Sequence, residues 1–263
     1  MKHQARKRFG QNFLTDDAAI DAIVAAIRPA PGECLVEIGP GLGALTRPLL
    51  AAAGHLHAIE IDRDLAHALK QELGARLELH TGDVLRFDFA ALGDGLRVIG
   101  NLPYNISTPL LFHLAACTER IRDIHVMLQK EVVERMVAAA GDSNFGRLSV
   151  MLQYRFEMEK LLDVPAAAFE PVPQVDSAVI RLTPWRPQRC IARDETQLAR
   201  VVAAAFSQRR KTLRNSLRGL INATALDALG IAPTARAQEL SVAQFVALAD
   251  HLSAAERSAK QRD

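Results

Sequence analysis

Residues 34–43 read CLVEIGPGLG. A short apolar run at 34–38 meets three glycines and a proline, and residues 45–53 then carry a helical pattern. Glycine at such a bend frees the backbone to take positive φ and to approach a ligand closely. Strand, glycine-rich turn and helix, in that order, open a βαβ unit. The alternation continues outward from it. Upstream, Thr15-Asp16-Asp17 is a helix-start signal ahead of 18–27. Downstream, strands are read at 55–60, 76–80, 96–100 and 124–128, with helices at 64–73, after Ser107-Thr108-Pro109, and at 130–139. This is the pattern of an α/β chain with a parallel, doubly wound sheet. Ligands of such sheets sit outside the carboxyl ends of the strands.

Beyond residue 160 the texture changes. Prolines cluster at Pro165, Pro171 and Pro173, a last strand is read at 177–182, and Pro184-Trp185-Arg186-Pro187 looks like a linker. The remainder is helical and rich in Ala, Leu and Arg, with a break at Gly230-Ile231-Ala232-Pro233. We therefore expect a sheet domain over 1–187 and a small all-helical domain over 188–263.

Composition sets limits. The chain has 263 residues, 49% hydrophobic and 24% charged, values of a core-forming globular protein. No apolar run approaches the roughly 20 residues of a membrane helix. The basic start, MKHQARKRFGQNFL, lacks the apolar core of a secretory signal. A cytoplasmic protein with no membrane partner is expected. Cys34, Cys117 and Cys190 are far apart, with no CxxC, which argues against a disulfide framework or a zinc site. His55 and His57 would share one face of a strand. With no third ligand nearby in sequence they read as strand decoration, and no metal is expected.

Net charge is only +2, but the charge is unevenly placed. Lys2, Arg6, Lys7 and Arg8 precede the first acid, Asp16. Residues 196–226 hold no acid, but carry Arg200, Arg209, Arg210, Lys211, Arg214 and Arg218. Two local basic blocks in a near-neutral chain favour a track for phosphates over two solvated faces.

The glycine loop implies a nucleotide. Gly39 and Gly41 allow close approach, Glu60 ends the next strand where a carboxylate can accept both ribose hydroxyls, and Asp83 follows the third strand, placed to accept from an adenine amino group. Gly39, Gly41 and Ala44 also fit G-x-G-x-x-G/A, so a nicotinamide enzyme suits this loop equally well. Residues 101–107, NLPYNIS, discriminate. The Asn101 amide and the proline-stiffened carbonyl of Pro103 make two neighbouring acceptors. An aromatic amino group such as adenine N6 has two hydrogens to donate. Holding both aims the nitrogen lone pair at an electrophile, here the sulfonium methyl of S-adenosylmethionine, while Tyr104 stacks on the base. Hydride transfer has no use for this arrangement.

EIGPGLG, IEID, GDVL and NLPY occur in this order together with RKRFGQNFL (6–14), FEPVPQVDSAV (169–179) and FSQRRKTLRN (206–215). The set, covering nearly the whole chain, resembles the small-subunit ribosomal RNA adenine N6,N6-dimethyltransferases. The resemblance implies a Rossmann-like class I methyltransferase sheet with a helical RNA-binding domain. It implies four methyl transfers, two to each of two adjacent adenosines in the 3′-terminal hairpin loop of 16S rRNA, within the pre-30S subunit. By the same resemblance Asn12 and Leu14 would contact the cofactor, Gly39 its methionine end, Glu60 the ribose and Asp83 the adenine. Asn101 and the Pro103 carbonyl would hold the target amine, and Tyr104 and Phe169 would sandwich the base. Arg6, Lys7, Arg8, Arg209, Arg210, Lys211 and Arg214 would meet phosphates. Phe145 stands where the family pattern leads us to expect Tyr. No dimerisation signal is readable, so a monomer is expected. A large-subunit rRNA adenine methylase is an alternative, which SQRRKTLRNSL argues against; a non-catalytic ribosome-assembly factor is another.

Overall fold

The computed structural model describes residues 11–208 and 210–260. A two-residue strand, Phe13–Leu14 (β1), precedes helix Asp17–Ile27 (α1), whose start is capped by the Asp16 side chain accepting from the Ala19 amide at 2.7 Å. Then follow Leu35–Ile38 (β2), Thr46–Ala53 (α2), Leu56–Glu60 (β3), Arg63–Leu73 (α3), Leu77–Thr81 (β4), Leu96–Asn101 (β5), Ser107–Ala115 (α4), Ile121–Gln129 (β6) and Lys130–Val137 (α5). Arg147–Gln153 (α6), Phe156–Val164 (β7), Phe169–Glu170 (β8) and Ser177–Pro184 (β9) complete the sheet region, and Glu195–Phe206 (α7), Leu213–Ser216 (α8), Ala223–Ala228 (α9) and Val242–Lys260 (α10) end the described chain.

Seven strands form one sheet in the order β4-β3-β2-β5-β6-β9-β7. The first five run parallel, whereas β9 pairs antiparallel with β6. The sheet is therefore mixed rather than wholly parallel. A parallel return needs a long crossover, usually through a helix. Residues 165–176, which lead from β7 to β9, hold three prolines, one three-residue 3-10 turn and the two-residue β8, with no helix that could serve as such a crossover. β2 is buried along its whole length and β5 up to its last residue, as expected of strands with helices on both faces. β7 was not legible as a strand. Its sequence, FEMEKLLDV, is mostly uncovered and does not alternate, as charged edge strands often do not.

The parallel register is what assembles a site. Ile38 lies opposite both Ile59 and Gly100, and Glu60 lies opposite Thr81. The residues that follow β2, β3, β4 and β5 thus emerge side by side at one edge.

Internal packing divides the chain into two units, 1–133 with 157–184, and 134–156 with 185–263. The helical unit thus includes 134–156 as well as the segment beyond 187. Its core explains why: Val150 and Tyr154 are buried in one cluster with Val201, Leu213 and Phe245. Phe206 packs on Phe145 and Phe245, at 6.4 and 5.7 Å between ring centroids, so it is a core residue. Among the described residues, no helix is long and apolar enough to cross a membrane.

Candidate active site

At the carboxyl edge of the parallel strands lies a pocket partly open to solvent, and all the residues proposed from sequence to bind a cofactor line it. Its floor is the turn after β2. Gly39 and Gly41 have φ of 67° and 58°, in the left-handed region where a side chain is disfavoured. At Gly41 the space is also taken, since a Cβ there would stand 3.2 Å from the Phe13 ring. The loop is held from behind. Arg47 donates to the Leu42 carbonyl at 2.8 Å and pairs with both carboxylate oxygens of Glu72 at 2.7 and 2.8 Å.

Three acids face this region differently. Glu60, only 5% exposed, accepts from the Asp62 amide at 2.9 Å and from the Gly41 amide at 3.1 Å. Burial raises its pKa, and those amide bonds pull it back. Each of its oxygens retains a lone pair for a further donor. Asp83 is exposed; one oxygen accepts from the Leu85 amide at 3.0 Å, and the other is left for a ligand. Glu37 lies deeper, 2% exposed at the end of β2, and its Oε2 has no hydrogen-bond partner among the described residues. Burial pushes its pKa to about 7; Thr46 and Arg47 pull it down, while the neighbouring Glu60 adds to the rise. Glu37 stands inside the EIGPGLG motif, but sequence reasoning gave it no role. The signal was available as an acid on an otherwise apolar, buried strand.

Asn101 ends β5 opposite Met127 of β6, whose carbonyl accepts from the Leu102 amide at 3.1 Å. Its Nδ2 donates to the Asn12 carbonyl at 3.1 Å, which orients the amide and leaves Oδ1 as the acceptor. The Pro103 carbonyl already accepts from the Ile106 amide at 3.2 Å in the turn that starts α4. A carbonyl has a second lone pair, so it can accept once more. Tyr104 is half-buried, with its hydroxyl 3.2 Å from Ser177 Oγ. Phe169 differs most from expectation. It is 3% exposed, belongs to the core around the sheet, and its backbone pairs with Leu14 across the β1–β8 ladder. In this conformation its ring is packing, not an open stacking face.

Of the residues expected to meet phosphates, Arg6, Lys7, Arg8 and Arg209 lie outside the described residues. Arg210, Lys211 and Arg214 are exposed on the helical unit. Arg200, from the same acid-free window, is paired with Glu256 at 2.7 Å. An absence of acids in sequence did not mean an absence in space.

The family described as ribosomal RNA adenine dimethylase matches residues 2–254. "Ribosomal RNA small subunit methyltransferase A" of Thiobacillus denitrificans is 60% identical over 252 residues, 95% of this chain and 99% of that one. A crystal structure of a dimethyladenosine transferase from Plasmodium falciparum superposes with a TM-score of 0.79 at 27% identity, covering 90% of this chain and 95% of that one. The structure of the 23S rRNA methyltransferase ErmE gives 0.73 at 27% identity, covering 92% and 100%.

Proposed function

The chain belongs to the ribosomal RNA adenine dimethylase family, and on that premise we propose that it dimethylates N6 of two adjacent adenosines in the 3′-terminal hairpin loop of 16S rRNA, during small-subunit maturation in the cytoplasm. It is an S-adenosylmethionine-dependent rRNA adenine dimethyltransferase. The choice of the small subunit rests on the 60% identity to a protein named for that subunit, against 27% to ErmE.

The observation that carries the mechanism is the fixed amide of Asn101 at the mouth of a pocket walled by Glu60 and Asp83. Glu60 has acceptors for the two ribose hydroxyls, and Asp83 has one for the adenine amino group. The unpartnered Oε2 of Glu37 suits the ammonium end of the cofactor's methionine. Bound S-adenosylmethionine supplies a methyl group on a positively charged sulfur. Asn101 Oδ1 and the free lone pair of the Pro103 carbonyl each accept one N6 hydrogen, which holds the amine pyramidal with its lone pair turned toward the cofactor. No general base is needed before the attack, because the proton leaves only after nitrogen becomes cationic. The contribution is positioning and electrostatics. Tyr104, steadied by Ser177, supplies the stacking face. Phe169 can share that role only where the β1–β8 pair opens.

Loop adenosines suit this site because an unpaired base is extruded at less cost than one in a duplex. Small subunits from a strain lacking the modification, incubated with the protein and labelled S-adenosylmethionine, should yield N6,N6-dimethyladenosine in the 3′-terminal hairpin by mass spectrometry. Asn101→Ala should lose roughly 10²- to 10³-fold in kcat while still binding subunits. Label confined to 23S rRNA would instead make this a large-subunit enzyme. Undiminished subunit maturation by an inactive Asn101→Ala protein would favour the assembly-factor reading.

A further inference from the structure

Away from the pocket, the outer edge of the sheet gathers a second set of chemical groups. β4 is the edge strand, and its register with β3 sets His57 opposite Glu78. His80 lies two residues beyond Glu78 and His55 two before His57, so all four side chains share one face. His57 Nδ1 stands 3.5 Å from Glu78 Oε2, and His80 Nε2 stands 3.9 Å from Glu78 Oε1. The three donor atoms lie within 4.8 Å of one another. The His57 and His80 rings are nearly parallel, 5.8 Å apart, and Phe87 leans over His80 at 5.1 Å. Neither His57 Nδ1 nor His80 Nε2 is open to solvent or has a hydrogen-bond partner among the described residues.

Two buried ring nitrogens without hydrogen bonds, converging on one carboxylate, are costly unless something binds them. We propose that His57, Glu78 and His80 form a zinc site that clips the edge strand β4 to β3. Two imidazoles and a carboxylate are a known donor set for Zn²⁺, with bonds of about 2.0–2.2 Å. Tetrahedral bonds of that length separate donors by roughly 3.3 Å. Side-chain rotations that bring the donors up to about 1.5 Å closer together therefore complete the site. Water takes the fourth position, on the side where Glu78 reaches solvent. The site was hidden from sequence because the histidine pair lacked a third ligand nearby; strand pairing supplies Glu78 and His80 from about 20 residues away. The clip would lie on the two strands that lead into Glu60 and Asp83; its coordination, with water in the fourth position, is that of an open zinc site rather than a closed one, and its effect would be to hold the two strands together.

The test uses the full chain, free of any histidine tag and stripped of metal with a chelator. Titration with ZnCl₂ in a calorimeter should show one zinc per chain, and added zinc should raise the melting temperature. Co²⁺ should give the visible absorption of a tetrahedral site. His57→Ala with His80→Ala should weaken zinc binding by at least about tenfold and abolish the cobalt band. His251→Ala, in the other unit, should change neither. Should the double variant fold poorly, Glu78→Gln, which keeps size and shape, serves in its place. Absence of stoichiometric zinc binding by the parent protein, or binding that survives unchanged in these variants, would overturn the proposal.

Discussion

Glu37 is a carboxyl group held where water does not reach it, with a pKa near 7 against an ordinary 4.5. Between those two values the unfolded chain has lost a proton that the folded chain keeps. The folded state then binds more protons, so stability falls as pH rises, and levels off above pH 7. A shift of this size corresponds to about 3 kcal/mol. Glu37→Gln removes the ionisable group with little change of shape. The ligand-free variant should therefore match the parent at pH 4 and exceed it in stability at pH 8, by urea unfolding. Glu60 is raised in the same direction, so the variant should keep a shallower decline. An identical pH profile for parent and variant would show that Glu37 is ionised in the free protein. The cofactor's ammonium end favours the ionised form. Affinity for S-adenosylmethionine should thus increase from pH 5 to pH 7 in the parent, and lose that increase in the variant.

At the scale of elements, β2 and β5 are the pair on which the site depends, and their closeness rests on Gly100. A Cβ there would lie 2.8 Å from the Ile38 carbonyl oxygen and 2.9 Å from a Leu102 methyl. A leucine tip can rotate away, but a strand carbonyl cannot. Gly100→Ala should therefore force the two strands apart, at a cost of about 1–3 kcal/mol. That corresponds to a fall of roughly 2–12 °C in melting temperature for a domain of this size. Because Asn101 is the next residue, kcat should fall further than the loss of folded protein explains; a variant with parent-like kcat would mean that the Asn101 amide is positioned by Asn12 alone. The parts of this architecture that were readable from sequence are those decided by local patterning. The buried parallel strands read as short, largely apolar runs interrupted by single polar residues such as Glu37 and Arg97, and EIGPGLG and NLPY carry their own turn chemistry. The parts that were not readable depend on pairing between distant strands. β7 looks like a charged surface segment until its place at the sheet edge is known. β9 reads as a strand, but its direction follows from the connection before it. Phe169 was placed at the site by the family resemblance, and its pairing with β1 and its burial follow from contacts more than 150 residues apart in sequence. Asn101 was legible as an acceptor, but not the Asn12 carbonyl that orients it, 89 residues earlier.

For the molecule as a whole, the net charge of +2 conceals where the cations stand. RNA binding depends on cations available to displace counterions, not on those neutralised within the fold. Arg200 is neutralised by Glu256. Arg210, Lys211 and Arg214 are exposed, with no ion pair among the described residues. These three are therefore the ones to follow with salt. If each meets one phosphate of a largely single-stranded loop, each contributes about 0.7 to the slope of log affinity against log salt. Replacing all three by alanine should weaken binding to 16S rRNA or small subunits at low salt and reduce that slope by about 2. Arg200→Ala should leave the slope nearly unchanged. Affinity for S-adenosylmethionine should stay at the parent value in both, since the cofactor pocket is built entirely within the sheet unit. The measurement is filter binding across a series of salt concentrations with each variant. A slope unaltered by the triple replacement would assign the phosphate contacts to other residues.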